Sequence, residues 1–234
     1  MAEAFPSISI VVPVHNEEAI LEEQVLAIRA AILQQGSDHE ILLIENGSSD
    51  ETPSICQRLA AAYPDIRLVS LQRADYGLAL RQGILEAGRD LVVIFNVEFW
   101  SIEFVAIAVA ALQTRVLVIG SKSAPGAHDD RPLLRRLITH AYNRCLRVLW
   151  GFRGTDTHGM KAFHRVQVAP IVQECRCSGF VFDTELVLRC QRAGLRSLEL
   201  PTDAREVRAP SLPALLRRVP GVVGNLVILW RALK

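Results

Sequence analysis

The 234-residue sequence lacks any apolar run as long as the ~18 residues that a membrane-spanning helix needs. It also lacks internal repeats and low-complexity segments, and its first residues lack the basic region of a secretory signal peptide. Half of the residues are hydrophobic, which supplies a sizeable core for one large domain or two small ones. We therefore expect a globular, cytoplasmic protein whose contact with a membrane, if any, is peripheral.

The cysteine content is low, odd in number and without a zinc-like pattern. Five cysteines are scattered along the chain, and Cys175-x-Cys177 has no second pair at zinc spacing. We expect reduced thiols rather than a disulfide framework. The run His128-Asp129-Asp130 contains metal-binding residue types, but we expect it to be a solvated loop.

The net charge of +1 is divided unevenly along the chain. Residues 1–114 hold 6 basic and 16 acidic residues, a net charge of −10, whereas residues 115–234 hold 20 and 9, a net charge of +11. This asymmetry predicts an anionic partner for the second half, such as a nucleic acid, a phospholipid surface or a phosphorylated acceptor. Mutual attraction between the two halves is the alternative.

Five short apolar runs rich in β-branched residues predict the strands of a buried, mostly parallel sheet. They span residues 8–14, 41–44, 66–71, 91–95 and 116–119. Helical spacing of apolar residues between the runs predicts a doubly wound α/β fold, with Asp50 as the N-cap of the second helix and Pro53 at its third position. Further on we predict a basic amphipathic helix at about 132–150, a helix at 183–193 and a strand at 195–200.

Polar residues follow the predicted strands, at the edge where doubly wound sheets bind ligands. Three motifs lie in the first half: IVVPVHNEE at 10–18, IENGSSDET at 44–52, and Gly77-x-Ala79-x-x-x-Gly83. Two more follow, DTHGMKAFHR at 156–165 and FDTELVLR at 182–189. Together, and in this order, they resemble family 2 glycosyltransferases, and in particular the branch that includes dolichyl-phosphate mannosyl- and glucosyltransferases. The resemblance spans nearly the whole chain.

The resemblance implies a GT-A fold, an inverting transfer and a UDP- or GDP-sugar as the donor. It implies a single domain with a donor half at 1–120, an acceptor half at 121–205 and a basic amphipathic tail at 206–234. The residues that it assigns to the base and ribose of the donor are Pro13, Asn16, Glu17, Glu45 and Asn46. For Asn16 and Asp50, helix capping is the alternative role.

The end of the fourth predicted strand departs from the family pattern. The family usually places Asp-x-Asp there to hold a divalent cation on the donor pyrophosphate, and this chain has Asn96 and Glu98. An extended chain puts both on one side, with Val97 opposite. Glu98 remains a hard ligand for Mg²⁺ or Mn²⁺, whereas Asn96 offers only a neutral oxygen. The alternative is an ordinary loop in an inactive relative.

Two carboxylates and several basic residues are candidates for the acceptor side. Asp183 and Glu185 are candidate general bases for a hydroxyl acceptor, and Asp183 is alternatively a helix N-cap. A phosphate acceptor needs little such help, since its second pKa is about 6. The resemblance assigns phosphate binding to Lys161 by motif and more loosely to Arg205 and Arg208. Arg131 is a further basic candidate.

The tail and the acceptor leave several alternatives open. The tail mixes apolar residues, including Trp230, with Arg217, Arg218, Arg231 and Lys234, which suits an anionic membrane surface. Packing on the body or on a second subunit of a homo-oligomer is the alternative. We expect a polyprenyl-phosphate acceptor and no nucleic acid. The competing functions are a non-catalytic nucleotide-sugar binder, motivated by Asn96, and a sugar-1-phosphate nucleotidyltransferase, which the missing glycine-rich loop after the first strand disfavours.

Overall fold

A computed structural model describes residues 6–36, 38–203 and 224–234. The strands within these ranges are β1 Ile8–Val14, β2 His39–Asn46, β3 Ile66–Leu71, β4 Leu91–Ile94, β5 Leu117–Ser121, β6 Lys161–His164 and β7 Ser197–Pro201. The helices are α1 Leu21–Leu33, α2 Thr52–Ala62, α3 Tyr76–Glu86, α4 Ile102–Leu112, α5 Leu133–Trp150, α6 Arg165–Glu174, α7 Val181–Arg192 and α8 at 224–232. All seven strands join one sheet in the order β3-β2-β1-β4-β6-β5-β7.

The sheet is mostly parallel, which confirms the predicted fold class. The first four strands are parallel to one another, β5 is parallel to β7, and only β6 runs antiparallel, between β4 and β5. The five predicted strands are present, with ends that differ by up to two residues. The sequence analysis missed β6 and α6, because the four residues of β6 begin and end with polar side chains and form no apolar run.

Helices cover both faces of the sheet and give the core two layers. Successive strand residues point to opposite faces. Ile10 and Val12 of β1 therefore pack in one buried cluster with Val25 of α1, whereas Val11 packs in the other with Leu80 of α3. Burying each such side chain contributes about 1.5–3 kcal/mol, so the alternating pattern fixes which face of each strand packs against which helix.

The predicted N-cap of α2 was wrong by one residue. The helix begins at Thr52 with Glu51 at the N-cap position, so Pro53 is its second residue. Asp50 instead accepts backbone N–H bonds from Thr52 at 3.0 Å and from Glu18 at 3.3 Å. Its carboxylate therefore ties the loop after β2 to the loop after β1.

The capping interpretation of Asp183 was also wrong. α7 begins at Val181, two residues earlier than predicted, with Phe180 at the N-cap position and no side-chain cap. Asp183 lies inside the first turn and is only 1% exposed. The helix ends before Gly194, whose φ of +73° lies in the left-handed region that glycine tolerates.

The predicted basic helix is confirmed as α5. It ends at Gly151, which has φ of +66°. Of its eighteen residues only Asn143 and Leu146 are buried. Among the helices of the described ranges, none combines the length and the apolar character needed to cross a bilayer. All five cysteines are free, and burial raises the pKa of Cys56, Cys177 and Cys190 to about 12.

Candidate functional site

The carboxyl ends of β1, β2, β3 and β4 meet at one edge of the sheet, because these strands are parallel. Asn46, the last residue of β2, pairs with Leu71, the last residue of β3. The antiparallel β6 begins at this same edge, since Lys161 pairs with Ile94 of β4 and Ile119 of β5. The segments that follow or precede these residues therefore converge where a doubly wound sheet binds its ligand.

The loops after β1 and β2 are bound to each other through Asn16. Its Oδ1 accepts the N–H of Ser49 at 2.8 Å, and its own N–H donates to Ser48 Oγ at 3.0 Å. Asn16 has φ of 55°, a left-handed conformation that asparagine adopts more readily than most residues. It is not a helix cap, since α1 begins only at Leu21. Asn16 holds two neighbouring loops in one arrangement.

Glu45 fixes the loop after β2, and Asn46 binds that loop to the loop after β3. Glu45 Oε1 accepts the N–H of Ser48 at 2.6 Å, and Asn46 Oδ1 accepts the N–H of Asp75 at 2.7 Å. The two side chains are 4% and 5% exposed. Each therefore uses one oxygen to position backbone at the strand ends.

Gly47 allows the loops after β2 and β3 to approach closely. It has φ of +63°, and a Cβ at this position would lie 2.7 Å from the carbonyl carbon of Arg73. Any other residue would push the two loops apart. The remaining residues assigned to the donor differ in exposure. Pro13 is buried within β1, and Glu17 is half-buried with its N–H donated to Thr52 Oγ1 at 2.8 Å.

A tight turn follows β4 and presents the two residues predicted to bind a metal. Asn96 and Phe99 exchange backbone hydrogen bonds at 3.0 and 3.2 Å, which closes the turn. Asn96 and Glu98 are exposed, whereas Val97 is 3% exposed, so the exposure alternates as predicted, but in a turn and not in an extended chain. Within the described residues no group of three or more histidine, cysteine or acidic side chains is arranged to hold a metal ion. A cation here would need further oxygen ligands from a bound phosphate.

A buried ion pair lies beside this turn. Lys161 Nζ is 2.8 Å from Asp183 Oδ1, each side chain is 1% exposed, and Nζ also donates to Gly159 O at 3.0 Å. Burial and the nearby carboxylate of Asp183 raise the pKa of Tyr76 well above its ordinary value of 10. Loss of either partner of such a buried pair typically costs about 3–5 kcal/mol, because the other charge is left uncompensated. Contact between Lys161 and an acceptor phosphate would require this ion pair to open.

Glu185, the other candidate general base, is fully engaged in holding the backbone. Its Oε2 accepts the N–H groups of Arg176 and Cys177 at 2.8 and 2.7 Å, and its Oε1 accepts from Arg189 Nε at 2.8 Å. The residue is 0% exposed. Through these bonds Glu185 anchors the segment before α7. Asp183 is therefore the better candidate for a general base.

A cavity of about 250 Å³ lies between α5, the start of α7 and the segment after β5. Its basic groups are Lys122 and Arg131. Lys122 Nζ lies 2.8 Å from Asp156, and Arg131 makes two 2.7 Å bonds to Asp129. Burial opposes ionisation of Asp156, but the charge of Lys122 outweighs it and lowers the pKa, and the bonds from Arg131 lower the pKa of Asp129. Both cations therefore reach the cavity already paired with carboxylates.

A chain of hydrogen bonds runs along the wall of this cavity to His158. Tyr142 OH lies 3.1 Å from Thr184 Oγ1, which lies 3.0 Å from Thr157 Oγ1, which lies 2.9 Å from His158 Nδ1. His158 Nε2 lies 3.2 Å from the carbonyl oxygen of Phe180, an acceptor only. We assign the proton to Nε2 on this basis, so that Nδ1 accepts from Thr157. Burial lowers the pKa of His158, which keeps the ring neutral.

Asp75 connects the end of β2 with the cavity wall. Its Oδ1 accepts the N–H of Leu78, which caps α3, and the N–H of Gly179 at 2.9 Å. The ring of Phe180 then packs on that of Tyr76 with centroids 5.0 Å apart. Since Asp75 also donates its own N–H to Asn46 Oδ1, one residue joins the end of β2 to the segment before α7.

The structure brings together most of the residues predicted from the sequence. The loops with Asn16, Glu45 and Asn46, the turn with Asn96 and Glu98, and Lys161 with Asp183 all lie at the same edge. Arg131 lies at the cavity, whereas Arg205 and Arg208 lie outside the described residues.

Sequence reasoning missed the roles of Lys122, Asp75 and Tyr142. Lys122 directly follows the carboxyl end of β5, so the strand-end rule could have found it. The bond from Gly179 to Asp75 spans 104 residues of chain, and no local pattern announces it. Tyr142 faces Thr184 across 42 residues and is equally invisible in the sequence.

Comparison with known proteins gives a family-level match. The profile of the family described as Glycosyl transferase family 2 matches residues 9–166. Glycosyltransferase AglD of Haloferax volcanii is 29% identical over 232 residues, which cover 95% of this chain and 37% of that protein. Dolichyl-phosphate beta-glucosyltransferase ALG5A of Trichomonas vaginalis is 26% identical over 86% of this chain and 66% of its own length. This chain thus spans between about a third and two thirds of these relatives.

Solved structures show the same fold. The crystal structure of glucosyl-3-phosphoglycerate synthase from Mycobacterium tuberculosis is 22% identical, with a TM-score of 0.69 over 96% of this chain and 80% of that chain. The complex of that enzyme with Mg²⁺ and uridine-diphosphate has a TM-score of 0.72 at 21% identity, over 96% and 79%. A further match, at 36% over 99 residues, is undecaprenyl-phosphate 4-deoxy-4-formamido-L-arabinose transferase of Enterobacter sp., covering 41% of this chain and 30% of that protein.

Proposed function

Since the chain belongs to glycosyl transferase family 2, we propose that it transfers a sugar from a UDP- or GDP-sugar to the phosphate of a polyprenyl phosphate. One observation carries this proposal. The donor loops, the turn with Asn96 and Glu98, and the cavity with Lys122 and Arg131 lie at one edge of a single sheet. A donor, a cation and an anionic acceptor would meet at that edge.

The donor is assigned to the loops after β1, β2 and β3. Asn16, Glu45 and Asn46 fix these loops, and the exposed side of the loops would receive the base and ribose. Relatives named for the transfer of glucose to dolichyl phosphate, and a structural neighbour that holds uridine-diphosphate, support a nucleotide-sugar. We divide the domain accordingly into a donor half at 1–120 and an acceptor half at 121–205, followed by a basic tail.

The turn after β4 suits a divalent cation that shares its ligands with the donor. Glu98 offers a carboxylate and Asn96 an amide oxygen, both exposed, and such oxygens suit Mg²⁺ or Mn²⁺. A structural neighbour holds Mg²⁺ or Mn²⁺ together with uridine-diphosphate. When bound, the cation would offset the negative charge of the departing nucleoside diphosphate. With only one carboxylate from the turn, phosphate oxygens of the donor and water molecules would complete its coordination.

The acceptor phosphate is assigned to the cavity between α5 and α7. Lys122 and Arg131 would exchange their carboxylate partners, Asp156 and Asp129, for phosphate oxygens, and Arg131 has the geometry for two parallel bonds. Relatives named for dolichyl and undecaprenyl phosphates support this class of acceptor. Arg205 and Arg208 follow β7 in sequence and are further candidates.

The reaction is a single displacement at the anomeric carbon. An oxygen of the acceptor phosphate forms a bond to that carbon while the bond to the donor diphosphate breaks, so the configuration inverts. The phosphate is ionised at neutral pH and needs no general base, since its second pKa is about 6. Asp183 then serves to hold Lys161 in place. With a hydroxyl acceptor, Asp183 is the candidate base.

A non-catalytic nucleotide-sugar binder is the second candidate, and Asn96 is the observation that favours it. Losing one carboxylate at the metal position weakens the group that stabilises the leaving diphosphate. Thermal unfolding with UDP- and GDP-sugars, with and without Mn²⁺, identifies the donor, because a specific ligand raises Tm by mass action. An enzyme then also transfers the sugar to a polyprenyl phosphate. A binder raises Tm without transfer.

A further inference from the structure

We propose that the outer face of α5 docks on an anionic lipid bilayer and places the cavity beside the headgroups. This deepens the proposed function, on which it rests, because a polyprenyl-phosphate acceptor resides in a bilayer. The sequence pointed to the tail as the membrane contact. The described part of the tail, α8, instead buries Leu229 against the body, with Val227, Ile228 and Trp230 half exposed.

The outer face of α5 consists of apolar and basic residues that have no covering element among the described residues. Leu133, Leu137 and Val148 are 72%, 66% and 75% exposed, which is unusual for side chains of this size. At 3.6 residues per turn, all the exposed positions of α5 except Leu149 fall within an arc of about 140°. The members of this face are Leu133, Arg136, Leu137, His140, Ala141, Arg144, Arg147 and Val148.

The charge of α5 selects an anionic partner. The helix contains four arginines and no acidic residue, and Arg136, Arg144 and Arg147 are exposed on the same face as the leucines. The segment 204–223 holds four arginines and one glutamate, so its net charge has the same sign as that of α5. A helix with a basic side next to an apolar side is suited to the boundary between lipid headgroups and acyl chains.

The opposite side of α5 lines the cavity assigned to the acceptor phosphate. Tyr142 and Asn143 face that cavity together with Lys122. Phe180, also part of the lining, is 66% exposed. With the outer face of α5 in the interface, the cavity opens next to the plane in which the phosphate of a lipid acceptor lies. Asn225 of α8 lines the same cavity, so the half-exposed residues of α8 lie nearby.

Vesicle flotation of the full chain tests the surface. The probe is vesicles of phosphatidylcholine and phosphatidylglycerol in equal parts, with pure phosphatidylcholine as the reference. Wild-type protein is expected to bind the anionic vesicles and to be released by salt, since exposed charges are screened beyond about 10 Å at 0.1 M. The double variant Arg136→Gln/Arg144→Gln should bind on the order of tenfold more weakly, because each cation near an anionic surface contributes independently.

A matched pair of apolar variants separates this face from general stickiness. Leu133→Gln/Leu137→Gln should also weaken vesicle binding on the order of tenfold or more. Ile107→Gln/Val166→Gln changes two residues that are 54% and 77% exposed on α4 and α6, and it should bind like the wild type. In a second measurement, Leu133→Cys should react quickly with a maleimide in solution and slowly with anionic vesicles present.

Three results would overturn the proposal. If Leu133→Gln/Leu137→Gln binds vesicles as tightly as the wild type, the outer face of α5 does not contact the bilayer. Slow maleimide labelling in solution would mean that another part of this chain, such as 204–223, covers the face. A dimer that dissociates in the Leu133/Leu137 variant would make it a protein interface. Donor binding is measured separately by thermal shift, so a protein that binds UDP-sugar but no vesicles contradicts the surface and leaves the proposed function standing.

Discussion

Asn16 and Asn46 each accept a backbone N–H of a neighbouring loop with a side-chain oxygen, and Glu45 accepts the N–H of Ser48 within the loop after β2. Their first contribution is therefore to pre-organise the loops that the donor would meet. Because these loops are already ordered, a ligand that binds them does not have to order the backbone. Binding is therefore less costly in free energy than binding to flexible loops. Substituting these residues should impair the shape of the site as well as any direct contact.

The metal assignment rests on Glu98, the one carboxylate of the turn after β4. We expect Glu98→Gln to lower kcat/KM on the order of a hundredfold, because a stabiliser of developing charge is lost. Asn96→Ala should have a much smaller effect, and Asn96→Asp should lower the concentration of Mn²⁺ that gives half-maximal activity. If Glu98→Gln is as active as the wild type, this turn does not bind the metal. If the Mn²⁺ titration of Asn96→Asp is unchanged, Asn96 lies outside the coordination shell.

His158 makes the stability of the fold depend on pH. Burial lowers its pKa below the ordinary value of 6.5, so the unfolded chain binds more protons than the folded one below that pH. The contribution of His158 to the free energy of unfolding should therefore be fully present above pH 6.5. It should fall as the pH drops below that value, by at most about 1.4 kcal/mol per pH unit. Urea unfolding of His158→Gln should show a shallower fall. The control His140→Gln, on the exposed face of α5, should keep the wild-type slope, and an equal slope for His158→Gln would contradict the assignment.

At the level of elements, Asp75 couples α3 to the segment before α7. Asp75→Ala should destabilise the fold by about 1–2 kcal/mol through the lost helix cap. It should also raise the acceptor KM, because the N–H of Gly179 loses its partner. Asp75→Asn keeps an acceptor oxygen and should largely restore both.

Ser101→Ala is the matched control for Asp75. Ser101 caps α4 through a 3.0 Å bond from Phe104 N–H, and its removal should cost similar stability while leaving the acceptor KM unchanged. A KM that rises equally in both alanine variants would mean that Asp75 acts through stability alone.

Whether an element could be predicted depended on how local its cause is. β1 to β5 each contain an apolar run, and α5 has a basic amphipathic pattern, so the sequence predicts them to within two residues. β6 is short and flanked by polar residues, and its position is determined by pairing with β4 and β5. The first residue of α7 was misplaced because Asp183 looks like a cap, whereas its partner Lys161 lies 22 residues away in sequence.

At the scale of the whole molecule, the charge division follows the organisation of the site. The acidic half, with a net charge of −10, supplies β1 to β4 and the donor loops. The basic half, with +11, supplies Lys122, Arg131 and α5 around the cavity. The family motifs located the loops that we propose to bind the donor. The cavity was not predictable, because it is built by residues that only the fold brings together.

The central claim is that this chain moves a sugar from a nucleotide-sugar onto a lipid phosphate, and one transfer assay tests it directly. The intact protein is incubated with radiolabelled UDP- or GDP-sugar, Mn²⁺ and a polyprenyl phosphate, and the label is followed into the organic phase. We predict lipid-linked label that requires the phosphate of the acceptor, since the corresponding free polyprenol should accept none. Label on the free alcohol but not on the phosphate, or a donor that raises Tm without transfer to either, would contradict it.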